Sequence, residues 1–231
     1  MFAQKGISGA RLASRVALLV ISVIIIAYGS ANALSPTQAE EIMGSNFLGP
    51  EEGGRLFGFS LSAQELATFS EVPFSEATLN ECRNSHFLVA VPSISISQIR
   101  QSVSSDLFFL DRDEQSYTDR VIFQQRGVGG WQLVQKTPVE NSPQKSWRGQ
   151  LALLDTNSEV PVSRVMAYAI IGYYLKNHEK LFPNIAVRCG DPMVTVGSFG
   201  SFGLFVKDDF SCLDRAAYVG LASCRKPDKT F

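Results

Sequence analysis

Histidine is nearly absent from this 231-residue chain, with His86 and His178 the only two. That confines imidazole-based proton transfer to two positions and excludes a His-x-x-x-His metal pair. No Cys-x-x-Cys pair occurs either. The four cysteines, Cys82, Cys189, Cys212 and Cys224, are scattered over more than 140 positions, a spacing unlike that of a zinc site. Gly-x-Ser-x-Gly and His-Glu-x-x-His are both missing. Charge of one sign is lacking too: 21 Lys and Arg stand against 22 Asp and Glu, for a net charge of −1. The basic face typical of nucleic-acid binding is therefore not expected. Nothing in these patterns calls for a cofactor or a metal.

What is present begins at the N-terminus. Lys5, Arg11 and Arg15 form a basic stretch without an acidic residue, and Val16 to Tyr28 is an apolar run of thirteen interrupted only by Ser22. Ala31-Asn32-Ala33 follows as a small-x-small cleavage site. Residues 1–33 thus read as an export signal, with the mature chain starting at Leu34. The rival reading is an inner-membrane anchor through residues 16–31, but a spanning helix needs about 20 apolar residues. Cleavage would leave 198 residues and move the net charge from −1 to −4, since three basic residues depart. The expectation is one soluble domain, 34–231, in the periplasm or outside the cell.

In an oxidising compartment the even cysteine count suggests disulfides, with three possible pairings. Cys212 and Cys224 are close enough in sequence to staple a short loop, which would leave a long-range Cys82–Cys189 tie. Cys189 equally fits a small buried hydrophobe, because Ile185, Val187 and Cys189 share one face of a strand.

Local patterns predict an α+β fold, an antiparallel or mixed sheet packed by helices. Short N-terminal helices are expected after Ser35-Pro36, at Gly49-Pro50-Glu51-Glu52 (weakened by Gly53-Gly54), after the Ser62/Glu65 capping box, and from Ser75 to Cys82. Phe87–Val91 is apolar on both alternating faces and reads as a central strand. Ile96, Ile99 and Val103 fit a helix, Asp106–Leu110 a short strand, Gln115–Gln125 a helix, Trp131–Val134 a strand and Trp147–Leu154 a short helix. The strongest helix runs through Val162, Val165, Met166, Ala169, Ile170, Tyr173 and Tyr174, and Ile171 and Leu175 widen its apolar stripe enough to bury most of it. The C-terminal third is strand-rich, with candidates at Ile185–Cys189, Met193–Val196, Leu204–Val206 and Ala217–Ala222.

Candidate chemistry is sparse. Cys82 and His86 are the least implausible catalytic pair, but spacing by four brings side chains together only within a continuous helix, and His86 opens a strand. His178 fits the end of the long helix, where positive charge meets the helix dipole. Asp111-Arg112-Asp113-Glu114 lacks the glycine and glutamate of a calcium loop and reads as a solvated turn. Asp208-Asp209 reads as a turn after a strand. The Gly197–Gly203 stretch lacks the lysine and helix of a phosphate loop, and a hairpin turn suits it better. On such a turn Phe199 and Phe202 would form an apolar contact site. Trp131 and Trp147 fit core packing or the same contact surface.

From residue 39 onward the chain resembles a family of uncharacterised bacterial proteins. The resemblance is carried by EEIMGSNFLGPEE (40–52), VPFSEATLNECRNSHFLVAV (72–91), WQLVQKTPVENS (131–142), VMAYAIIGYYL (165–175) and LFPNIAVRC (181–189). It covers nearly all of the mature chain, places the export signal outside the domain and implies no activity or ligand. The first expectation is thus a non-catalytic binding module for an extracytoplasmic protein or glycan. An exported hydrolase with a dispersed site is the alternative, and a purely structural envelope protein stands behind both.

Overall fold

Serine caps set the starts of five of the short helices in the structure, a computed structural model that describes residues 34–109, 120–191, 194–208 and 215–228. Ser35 precedes α1 (Pro36–Met43), Ser62 precedes α3 (Ala63–Ala67) and Ser75 precedes α4 (Glu76–Cys82). Ser95 caps α5 (Ile96–Gln101) and Ser146 caps α7 (Trp147–Leu151). In each case the serine hydroxyl accepts an N–H three residues on. At Ser35, Ser62 and Ser95 a Gln or Glu at that third position closes the box. Such a cap contributes about 1 kcal/mol to a helix too short to stand alone. Helix α2 (Pro50–Phe57) starts on a proline and carries Gly53 and Gly54 inside it. Those glycines weaken it locally but let it approach its neighbour: a Cβ on Gly53 would lie 2.6 Å from the Tyr168 hydroxyl.

The class is α+β, and the described residues form two sheets. The first has the order β1-β2-β3-β9-β4, formed by Phe47–Leu48, His86–Val91, Gly130–Gln135, Cys224–Arg225 and Ser158–Glu159 respectively. As its composition predicts, β2 is interior and covered on both sides. Phe87, Val89 and Val91 enter the main core, while Leu88 and Ala90 enter a second cluster with Ala39, Met43, Leu79 and Cys82. The second sheet has the order β7-β6-β5-β8, with β5 at Ala186–Arg188, β6 at Thr195–Gly200, β7 at Gly203–Lys207 and β8 at Val219–Leu221. Pairing is mixed, since β1–β2 and β5–β8 are parallel and the other pairs antiparallel.

Helix α8 (Ser163–Asn177) lies in the main core with residues of both sheets. Phe87 of the first sheet meets Tyr173 edge-on at 5.2 Å, and Phe199 of the second meets Tyr174 at 5.3 Å. This explains the wide apolar stripe: every residue from Val165 to Tyr173 is buried, as expected of a helix with sheet on two sides. His178 closes α8 in the left-handed conformation, its N–H donating to the Tyr174 carbonyl at 2.8 Å.

Several local expectations need correction. Residues expected to form a strand from Asp106 instead make a 3-10 turn, Ser105–Leu107, followed by a single bridge from Phe108 to Leu204. Of the helix expected over Gln115–Gln125, the described part is α6 (Val121–Gln124). The strand expected at Met193 starts at Thr195 and continues through Gly200. Residues 1–33, the acidic group 111–114, Asp209 and Cys212 lie outside the described residues. Among those described, no helix is long and apolar enough to cross a membrane.

Candidate functional site

The hairpin β6–β7 is where the structure most changes the sequence reading. The two strands pair antiparallel from Thr195↔Lys207 to Gly200↔Gly203, leaving Ser201 and Phe202 at the tip, and the register slips between Gly197 and Gly200. Val196 and Phe199 therefore both point inward, which an unbroken two-residue alternation forbids. Gly197 takes φ +141°, and a Cβ there would sit 2.5 Å from the Ile185 carbonyl oxygen. The bulge delivers Phe199 to the core, fully buried against Tyr174, with the Lys180 ammonium 4.6 Å above its ring. The expected Phe199–Phe202 contact pair is thereby split: Phe199 is a packing residue, and Phe202 stands at the tip with 79% of its surface exposed.

A separate aromatic pair lies behind the tip. Gly203, at φ +96°, lets the hairpin press against the preceding chain, where a Cβ would fall 2.6 Å from the Phe108 carbonyl carbon. Phe109 then donates its N–H to the Leu204 carbonyl at 2.9 Å, and its ring meets Phe205 at 5.5 Å. Phe205 points away from the core between inward Leu204 and Val206, and Phe109 is 40% exposed. Phe202 and Phe205 thus belong to a hairpin that is braced by the segment carrying Phe109. Phe205 was legible in the sequence, since Leu204 and Val206 flank it on the alternate face, whereas Phe109 gave no signal before the chain pairing was known.

The tryptophans divide as well. Trp131 is buried, packed on Phe47 and Phe69, with its indole N–H on the Phe69 carbonyl at 3.3 Å. Trp147 is 40% exposed on α7, which packs on β8, at the opposite edge of the second sheet from β7.

No hydrogen bond between the Cys82 thiol and His86 is found among the described residues. Cys82 ends α4 and is buried in the second cluster, where burial raises its thiol pKa against the partial pull of Arg225. The His86 Nδ1 partner is the Ser85 hydroxyl at 2.8 Å. Burial, reinforced by the Arg225 cation, depresses the imidazole to about 4. Thiol and imidazole are both held neutral near pH 7, opposite to the thiolate–imidazolium polarity that activation requires.

The disulfide expectation is corrected too. Cys82, Cys189 and Cys224 are free, buried thiols. The Cys82–Cys189 tie is absent because the two side chains pack in different clusters. The Cys224 thiol faces the Glu159 carbonyl at 3.7 Å, while Cys212, its expected mate, lies outside the described residues. Burial pushes Cys224 up to about 12 and Cys189 well above its ordinary value. Asp208 is paired with Arg120. Among the described residues no cluster of three His, Cys, Asp or Glu side chains is placed to hold a metal ion.

Compared with known proteins, the chain matches no family model, no curated sequence and no solved structure.

Proposed function

We propose that this chain is an exported binding module that docks a partner protein through the aromatic face of the β6–β7 hairpin. The observation that carries the reading is Phe202, four-fifths exposed on a hairpin that is itself rigidly seated. Aromatic side chains presented on a fixed backbone supply contact area at little ordering cost, which is the character of interface anchors. The bulge, the buried Phe199 and the Phe109–Phe205 contact supply that rigidity. Phenylalanine offers no hydrogen-bond donor or acceptor, so the patch suits an apolar protein surface better than a glycan, which needs polar partners beside the ring. Export is supported by the basic, apolar and small-residue segments of residues 1–33, and by a compact unit that starts at Leu34.

The test is site-specific photo-crosslinking in an expressing bacterium. A benzophenone side chain at position 202 or 109 should trap one discrete partner in the envelope fraction. The same probe at Asn80, on the exposed face of α4, should trap none. Phe202→Ser combined with Phe109→Ser should abolish the adduct formed by a probe at Ser201 while leaving the circular dichroism spectrum unchanged. Equal background from positions 202, 109 and 80 would overturn the assignment. Intact mass of the recovered protein, beginning at Leu34 or at Met1, decides the export reading separately.

A further inference from the structure

The expected cleavage bond, Ala33–Leu34, has no slack on its C-terminal side. Leu34 pairs with Val72 in an antiparallel bridge, its carbonyl accepting the Val72 N–H at 2.9 Å, and it packs against the second cluster. Ser35 is the cap of α1. Its N–H donates to the Gln38 Oε1 at 3.0 Å, and its hydroxyl accepts the Gln38 N–H at 3.3 Å. Pro36 opens the helix with φ fixed by its ring. Further along α1, Ala39 and Met43 are buried in the cluster that holds Leu79 and Cys82 of α4. The first residue of the mature chain is thus already part of the fold.

A protease does not cut such a segment in place. It takes its substrate as an extended strand with several residues on each side of the scissile bond. Native proteins are therefore nicked at exposed loops and termini, or in transiently opened states. Here an extended Leu34-Ser35-Pro36 segment requires the Val72 bridge to break and the Ser35 box to open. An eight-residue helix that has lost its cap and first turn does not stand alone, so Ala39 and Met43 leave the core with it. Openings of that extent are rare in a folded domain. A flexible linker after the signal would remove the constraint, and this chain has none.

We infer, on the export reading above, that removal of residues 1–33 precedes folding: an envelope protease specific for small residues cuts Ala33–Leu34 only while Leu34 and α1 are unseated. Water adds across the amide, leaving a carboxylate on Ala33 and an ammonium on Leu34. One chain then has two fates. Cleavage before folding releases the domain from Leu34 onward. Folding before cleavage shields the bond and leaves the apolar run Val16–Tyr28 attached. The proportion is set by two competing rates, and whatever delays the docking of α1 raises the released share.

The experiment varies the order of addition. The full-length chain is diluted from urea into detergent micelles. Purified bacterial signal peptidase is added either at the start of refolding or after the circular dichroism signal has become constant, and intact mass follows the product beginning at Leu34. Early addition should yield that product, and late addition should slow cleavage at least tenfold. Met43→Ala loosens α1 without touching the cleavage sequence and should speed late cleavage severalfold. A linker of Leu followed by Gly and Ser residues, inserted after Ala33, keeps the cut site and should make the two orders equal. Equal cleavage of the parent in both orders, or a linker variant that stays resistant once folded, would overturn the inference and leave the export reading standing. No product in either order would overturn both.

Discussion

Replacing Phe199 and Phe202 separately gives the sharpest test of the hairpin, because the two residues lie three apart and occupy opposite environments. Phe199 has no exposed surface, meets Tyr174 edge-on at 5.3 Å and carries the Lys180 ammonium 4.6 Å over its ring. Truncation to Ala removes the buried ring and leaves a cavity at the end of α8, a change that costs about 3–5 kcal/mol. For a domain of this size, with a urea dependence of about 2–3 kcal/mol per molar, the midpoint should fall by about 1–2.5 M at unchanged slope. Phe199→Leu restores most of the volume but not the aromatic contact, so about 1–1.5 kcal/mol should be lost. Phe202→Ala touches nothing buried and should stay within about 0.5 kcal/mol of the parent. Equilibrium urea denaturation followed by far-UV circular dichroism measures all three. If Phe199→Ala were as mild as Phe202→Ala, the bulge that turns Phe199 inward would be wrong, and both rings would return to the tip.

Three further outcomes follow from buried polar and titratable groups. His86 titrates at about 4 in the fold against an ordinary 6.5, so the unfolded chain takes up the proton first. The stability this group contributes is complete above pH 6.5 and is lost as the pH falls toward 4. The loss is about 2 kcal/mol once screening of a half-buried ring is allowed for. Urea midpoints between pH 7 and 4.5 should therefore drop less steeply for His86→Gln than for the parent, and parallel slopes would refute the assignment. Cys82, Cys189 and Cys224, all buried with raised pKa values, should resist iodoacetamide at pH 8 in the native protein. All three should label in denaturant without reductant, and a missing label by peptide mass mapping would reveal an oxidised pair. Gln150 is fully buried, donating to the Ser142 and Val219 carbonyls at 2.9 and 3.1 Å and accepting from Arg188 at 2.9 Å. Gln150→Ala should cost about 3 kcal/mol by stranding those partners, and a loss under 1 kcal/mol by urea denaturation would mean that water replaces the amide.

The features legible in the sequence are those whose physics is local. A serine followed three residues on by Gln or Glu specifies its own helix start, and Ser35, Ser62 and Ser95 all do so. Phe87–Val91 needs no partner to declare that both of its faces are covered, and the width of the α8 stripe requires more than one covering surface. What was not legible depends on pairing. Two-residue strands such as Phe47–Leu48, Ser158–Glu159 and Cys224–Arg225 are too short to show any period. Their existence is decided by the edges they meet.

The same distinction separates the two sides of the hairpin and hides the seating of Arg126 and Arg164 on backbone carbonyls. Between Val196 and Phe199 one additional residue reverses the facing of everything after it, so a glycine-rich stretch that reads as an exposed turn carries a core ring. In β7 the alternation is intact, and Phe205 faces outward as Leu204 and Val206 dictate. Arg126 and Arg164 share no motif or period. They are neighbours because Pro92 and Ser93, at the end of β2, present adjacent carbonyls to both. A charge constellation assembled by backbone acceptors leaves no trace in spacing. Such a grouping can be read only after the chain has folded.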